Sequence, residues 1–214
     1  MQYYTGHEKE ALLEKYSLVE LFKKKVIAVT VVENAVVQRS FVETKVWNKK
    51  LILHRQFVSE LLTYIQEKYD YNILFLPHCT GPTKNLDDRR VSEEIRNLIP
   101  GQFHPRIRIV SEELDARELK TLISCSELLM GERTHSLIGA ISSGTPIICL
   151  GSKSDNRTMG IVGDMCGLHK NIINMQHIDM EEVFEYIDNY IKGYEKKKVE
   201  ALKINEQIYI ETSK

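Results

Sequence analysis

Apolar residues at Leu12, Leu13, Tyr16, Leu18, Leu21 and Phe22 predict an amphipathic helix over 8–24. The β-branched and almost uninterrupted run VIAVTVV (26–32) predicts a strand covered on both faces. The polar, irregular segment 33–50 predicts a long loop of the functional or mobile kind. Helical spacing returns in RQFVSELLTYIQEKY (55–69), with Phe57, Leu61, Leu62 and Ile65 on one stripe. NILFLP (72–77) predicts a second buried strand. The turn-rich HCTGPTKN follows, and Asp87 or Asp88 is placed to cap a helix that reaches Leu98.

The alternation continues. RIRIV (106–110) predicts a strand, Asp115 caps the helix ARELKTLISC, and ELLMG (127–131) predicts a short strand. THSLIGAISSG predicts a helix whose last residue, Gly144, can take positive φ, and PIICL (146–150) predicts the next strand. A polar loop over 151–159, a helix near 159–166, a short strand at 171–174 and a long charged helix from Asp179 complete the chain. Strands alternating with helices specify an α/β fold, a doubly wound and mostly parallel sheet with helices on both faces.

The chain has 214 residues, 43% of them hydrophobic and 28% charged, with a formal net charge of −1. This balance excludes nucleic-acid binding driven by bulk charge, though not a local basic pocket. The N-terminal segment lacks the order of a signal peptide, and no apolar run reaches the ~18–20 residues that span a bilayer. Cys79, Cys125, Cys149 and Cys166 form no CxxC pair. They read as reduced thiols of a cytoplasmic protein, and the scattered histidines suggest no metal site.

Ligands of such sheets bind beyond the carboxyl ends of the strands, which makes the post-strand residues the ones to inspect. In GERTHSLIGAISSGTPI (131–147), Arg133 offers a planar fork for carboxylate or phosphate oxygens. Thr134, His135 and Ser136 fall at a helix start, where unpaired amides and the helix dipole favour an anion. His135 suits hydrogen bonding to that anion or proton exchange near neutral pH. The bland alternative makes Thr134 or Ser136 a plain cap, Arg133 the partner of a surface acid and His135 a satisfied core histidine. His78, directly after NILFLP, either projects into the same crevice or orders its own loop. Arg157 either adds a second positive charge or is an ordinary surface arginine. Lys84, Asp87 and Asp88 read as loop and cap residues, and Glu112 and Glu113 as solvent or hinge residues.

The run DARELKTLISCSELLMGERTHSLIGAISSGTPIICL (115–150) resembles the C-terminal domain of the polysaccharide pyruvyl transferase family. That domain has an acid-capped helix, a strand, a Gly-x-Arg-x-His turn, a small-residue helix, then Gly-x-Pro and a strand. NILFLPHCTGP with Asp87 and Asp88 resembles the family's strand–Pro–His loop. The residue between Arg and His is usually Leu in the family and is Thr134 here. The family's loop after the fifth strand often ends in a Lys before a Gly, where this chain has Arg157 and Gly160.

The resemblance implies one Rossmann-like half of a glycosyltransferase-B-like architecture. It also implies transfer of pyruvate from phosphoenolpyruvate, the donor substrate, to two hydroxyls of a sugar as a cyclic ketal, with no other cofactor. The acceptor would be a glycan or a lipid-linked sugar, and the setting polysaccharide biosynthesis for the cell envelope. The enzyme would be cytoplasmic or peripheral at the inner face of the membrane. The implied catalytic residues are His135 and then His78, and the implied substrate-binding residues are Arg133, Thr134, Ser136 and Arg157.

Family enzymes are longer, so residues 1–24 are expected to be a linker or helix remnant of a missing N-terminal domain. Residues 25–190 are expected to form the Rossmann-like domain and 191–214 a helical tail. The chain would then be a fragment, a split gene product or a degenerate relative, whose exposed face takes the missing domain or a homo-oligomer partner. Two other classes compete. A nucleotide-sugar glycosyltransferase would bind a sugar diphosphate at the same turn, although the helix after Glu132 offers serines and no acid for ribose. A non-catalytic domain would bind only a partner chain.

Overall fold

The apolar runs become a six-stranded parallel sheet in the computed structural model, which describes residues 6–32, 44–81, 87–152, 155–176 and 178–212. The strands are β1 (Val26–Thr30), β2 (Asn72–Phe75), β3 (Ile107–Ile109), β4 (Leu128–Gly131), β5 (Ile147–Gly151) and β6 (Ile172–Asn174). Their spatial order is β3-β2-β1-β4-β5-β6, with parallel pairing throughout. The order reverses between β1 and β4, which is the switch point of a doubly wound sheet.

The helices are α1 (Gly6–Lys15), α2 (Thr44–Tyr69), α3 (Asp88–Leu98), α4 (Ala116–Cys125), α5 (Thr134–Ile141), α6 (Asn156–Thr158), α7 (Met180–Lys192) and α8 (Tyr194–Thr212). Strand residues alternate between two cores, as the pleat requires. Ile27, Val29, Ile73, Phe75, Leu128 and Met130 pack with Leu61 and Leu62 of α2, Val91 and Ile95 of α3 and Ile187 of α7. Val26, Ala28, Leu74 and Leu129 pack on the other face with Leu12 of α1, Leu122 and Ile123 of α4 and Leu137 and Ala140 of α5. Each fully buried side chain of this kind contributes roughly 1.5–3 kcal/mol of transfer free energy. Both faces must therefore be covered, and the near-continuous hydrophobicity of each strand follows.

Three sequence expectations change. The helix expected over 8–24 stops at Lys15, because Ser17 takes φ 54° and turns the chain before a short 3-10 turn at Leu21–Lys23. The loop expected over 33–50 yields to helix from Thr44, and residues 33–43 lie outside the described residues. Residues 52–55 of α2 escape the apolar pattern because their burial is inverted. Ile52 and Leu53 face solvent, whereas His54 and Arg55 are buried. The helix expected near 159–166 is a π-helical extension of α6 over Met159–Met165. Among the described residues, no helix is long and apolar enough to cross a membrane.

α5 ends as its sequence predicts. Gly144 sits at φ 70°, and a β-carbon there would lie 2.5 Å from Leu202 of α8. Gly144→Ala therefore combines left-handed strain with a clash at the α5–α8 contact. Urea unfolding should show a loss of about 1–3 kcal/mol.

Candidate functional site

The site gathers at the carboxyl edge of β1, β2 and β4. Thr30 and Gly131 are paired across the sheet, and a β-carbon on Gly131 would meet Thr30 Oγ1 at 2.5 Å. A glycine is thus needed for β4 to lie against β1 at the point where the chain turns into α5. Arg133 is the N-cap of α5 in extended conformation, and no side chain caps that helix. The amides of its first turn therefore keep the unpaired donors and positive dipole end that attract an anion.

Arg133 is held in place by Asp88 at the start of α3. Its Nε donates to Asp88 Oδ2 at 3.1 Å and its Nη2 to Asp88 Oδ1 at 2.5 Å. Asp88 Oδ2 also accepts the backbone N–H groups of His78 and Cys79, each at 3.0 Å. The carboxylate side chain is 3% exposed, and its four donors satisfy a charge that would otherwise be costly to bury. The neighbouring Asp87 is the α3 cap: it accepts from the Arg89 amide and binds the Arg89 guanidinium. Arg89 in turn reaches the carbonyls of Thr80 and Ser111 and fixes the loop that carries His78.

Held through Asp88, His78 and His135 stack with ring centroids 5.7 Å apart. His135 is exposed at the start of α5, so it is not a core histidine. Burial, then the nearby Arg133 charge, lowers the His78 pKa below its ordinary 6.5, which keeps that ring neutral near pH 7. The edge thus presents a guanidinium, a neutral imidazole able to accept a proton, a second imidazole and an uncapped helix start. Among the described residues, no group of three or more His, Cys, Asp or Glu side chains is placed to hold a metal ion.

Thr134 is half-buried in the first turn of α5. Ser136 is 1% exposed and its Oγ has no hydrogen-bond partner among the described residues. Arg157 stands apart from this group. Its side chain is 83% exposed, and it lies 3.9 Å from Asp155 in the turn after β5. Lys84 lies outside the described residues. Glu113 accepts from Thr80 Oγ1 at 2.9 Å, which makes it a loop tie.

Two features escaped the sequence reading. Asp88, which the sequence places as a loop or cap residue, is the anchor of Arg133, and its signal in the sequence is a second acid beside the true cap. Glu132, next to Arg133, turns the other way. Its side chain is fully buried, its Oε2 accepts the Val32 amide at 2.8 Å, and its Oε1 pairs with the buried His54 of α2.

A model of the polysaccharide pyruvyl transferase family matches residues 18–154, more than half of the chain, and the chain belongs to that family. The amylovoran biosynthesis protein AmsJ of Erwinia amylovora is 24% identical over 138 residues, which cover 64% of this chain and 32% of AmsJ. The chain thus spans about a third of the length of that relative. Among solved structures, the E. coli ADP-heptose lipopolysaccharide heptosyltransferase II superposes with a TM-score of 0.59 at 15% identity, covering 90% of this chain and 53% of that one. A putative UDP-N-acetylglucosamine 2-epimerase from Listeria monocytogenes gives 0.51 at 17% identity, covering 92% and 42%. These likenesses establish the Rossmann-like α/β fold.

Asp88→Ala would strand the Arg133 guanidinium and two loop amides together. Urea unfolding should show a loss of about 2–4 kcal/mol, with strong non-additivity in the Asp88→Ala, Arg133→Ala double mutant. The depressed His78 pKa means that the unfolded chain takes up a proton first as pH falls. Its stability cost is absent above about pH 6.5 and grows as pH drops below that value. The melting temperature of His78→Gln should therefore decline less than that of the wild type between about pH 7.5 and pH 5.5.

Proposed function

We propose that this chain carries the donor site of a transferase that moves pyruvate from phosphoenolpyruvate to a sugar as a ketal. One observation carries the reading: Arg133, His78 and His135 converge on the uncapped start of α5. A compact anion with a phosphate and a carboxylate suits that grouping. The helix amides and the Arg133 fork hold the anionic groups, and the two imidazoles stand beside them.

His135, the exposed ring, donates a proton to the methylene carbon of the enol. The carbon bearing phosphate gains cationic character, and a sugar hydroxyl attacks it. His78, kept neutral by burial and by Arg133, suits the complementary role of accepting the hydroxyl proton. Phosphate leaves, and a second hydroxyl closes the ketal. Thr134 and Ser136 contribute the first-turn amides. Arg157 has no part in this scheme, since its exposed side chain pairs with Asp155. Membership of the polysaccharide pyruvyl transferase family supports the choice of donor and of a glycan or lipid-linked acceptor, and the likeness to AmsJ, an amylovoran biosynthesis protein by name, agrees with a biosynthetic setting.

The test is a phosphorus NMR titration of the full chain with phosphoenolpyruvate, with UDP as the comparison. Saturable phosphoenolpyruvate binding is expected. Arg133→Lys, which keeps a cation against Asp88 but loses the planar fork, should weaken it by about tenfold. Unchanged affinity in that variant, or a preference for UDP in the wild type, would overturn the reading.

A further inference from the structure

Doubly wound sheets that bind dinucleotides seat the diphosphate against the first strand-to-helix turn. A glycine-rich loop there exposes its amides, and the following helix aims its N-terminus at the phosphates. That turn follows β1 at the β1–β4 switch point, and three observations on its sequence and its described flanks set it apart from such a loop. The sequence from Val31 to Thr44 contains no glycine. The Val32 amide, just past β1, already donates to Glu132 Oε2 at 2.8 Å. α2 begins at Thr44, ten residues before the His54 that meets Glu132, which sets its N-terminus about 15 Å along the helix from the edge.

We propose that Glu132 is a built-in anion that occupies the switch point and makes this chain selective for ligands with a single phosphoryl group over those with a diphosphate. The Glu132 carboxylate is fully buried, with one oxygen on the Val32 amide and the other on His54, whose side chain is 2% exposed. It therefore engages the Val32 amide, the described donor just past β1, and places a buried acidic side chain on the β1 side of the edge. The next residue, Arg133, opens the adjoining seat at the start of α5. One phosphoryl group would be held there, and a second, extending towards β1, would find the Val32 amide already engaged by Glu132. Glu132 is thus a specificity-determining residue. The assignment rests on the anion seat at α5 proposed above.

The test follows backbone amides of the full chain by NMR during titration with inorganic phosphate and with pyrophosphate. In the wild type, phosphate should shift the amides of Thr134, His135 and Ser136 and leave Val32 unmoved, and pyrophosphate should bind no more tightly than phosphate. Glu132→Gln removes the charge at nearly constant shape. It should raise pyrophosphate affinity by about tenfold or more, shift Val32, and leave phosphate affinity within about twofold. A Val32 amide that responds to either anion in the wild type overturns the proposal, and that arm needs no variant. An unchanged ratio of the two affinities in Glu132→Gln also overturns it. A wild type that binds neither anion would sink the α5 seat alone. Pyrophosphate binding confined to Glu132→Gln would still support the role of Glu132, and binding to neither protein would reject it.

Discussion

The Asp88 carboxylate is a meeting point for groups from three separate segments: the two amides of the loop after β2, the start of α3, and the guanidinium from the β4–α5 turn. Taking this carboxylate out of water is costly, and its four donors largely offset that cost. A buried ion pair of this kind adds little net stability over a well-packed apolar substitute. What it adds is direction. Arg133 cannot sweep through its many rotamers while two of its nitrogens are bound to a fixed carboxylate, and His78 cannot leave while its own amide is bound to the same oxygen. A ligand arriving at α5 therefore meets groups whose ordering has already occurred, which is where positional advantage in binding and catalysis originates.

The sheet supplies the other half of that preorganisation. β4 lies against β1 only because Gly131 leaves room for Thr30 Oγ1, and the chain then turns directly into α5. The tight turn sets Glu132 and Arg133 on different sides of the edge, one towards β1 and α2, the other towards α3. α5 packs under the sheet through Leu137 and Ala140, so its N-terminus is fixed by the core and not by a capping side chain. A helix start left uncapped is a cost that the fold accepts at this position, and such local conflicts tend to mark functional sites.

The fold was legible because its strands are apolar on both faces and short, so the runs near 26–32, 72–77, 127–131 and 146–150 could not be mistaken for surface. Most of the candidate site was legible for a related reason. Once strand ends are located, topology alone directs attention to His78 and to the segment Arg133–Ser136. The illegible parts share a cause. In α2, Ile52 and Leu53 are exposed while His54 and Arg55 are buried against Glu132 and Glu94, so the apolar pattern reports the wrong face there. Asp87 and Asp88 are chemically identical neighbours, and only the geometry of α3 makes one a cap and the other an anchor. Long-range polar pairs leave no periodic trace in a sequence, because neither partner's spacing refers to the other.

The same pairings show how a chain of net charge −1 can present the anion seat proposed at the start of α5. Among the described residues, two acids at this edge are both engaged: Glu132 by Val32 and His54, Asp88 by Arg133 and two amides. Asp88 engages the Nε and Nη2 side of the fork, and the Nη1 amino group lies outside that pair. Among the described residues, the local field is therefore not a simple surplus of positive charge. It is a set of directed donors, namely the remaining edge of the guanidinium and the first amides of α5, bounded on the β1 side by a buried carboxylate. A long-range surplus would draw in any polyanion, and salt would screen it within about 10 Å. Directed donors act only at contact distance and only on an anion of the right shape. An edge built in this way would achieve selectivity through geometry, and the balanced overall charge of the chain is then no obstacle to the proposed seat.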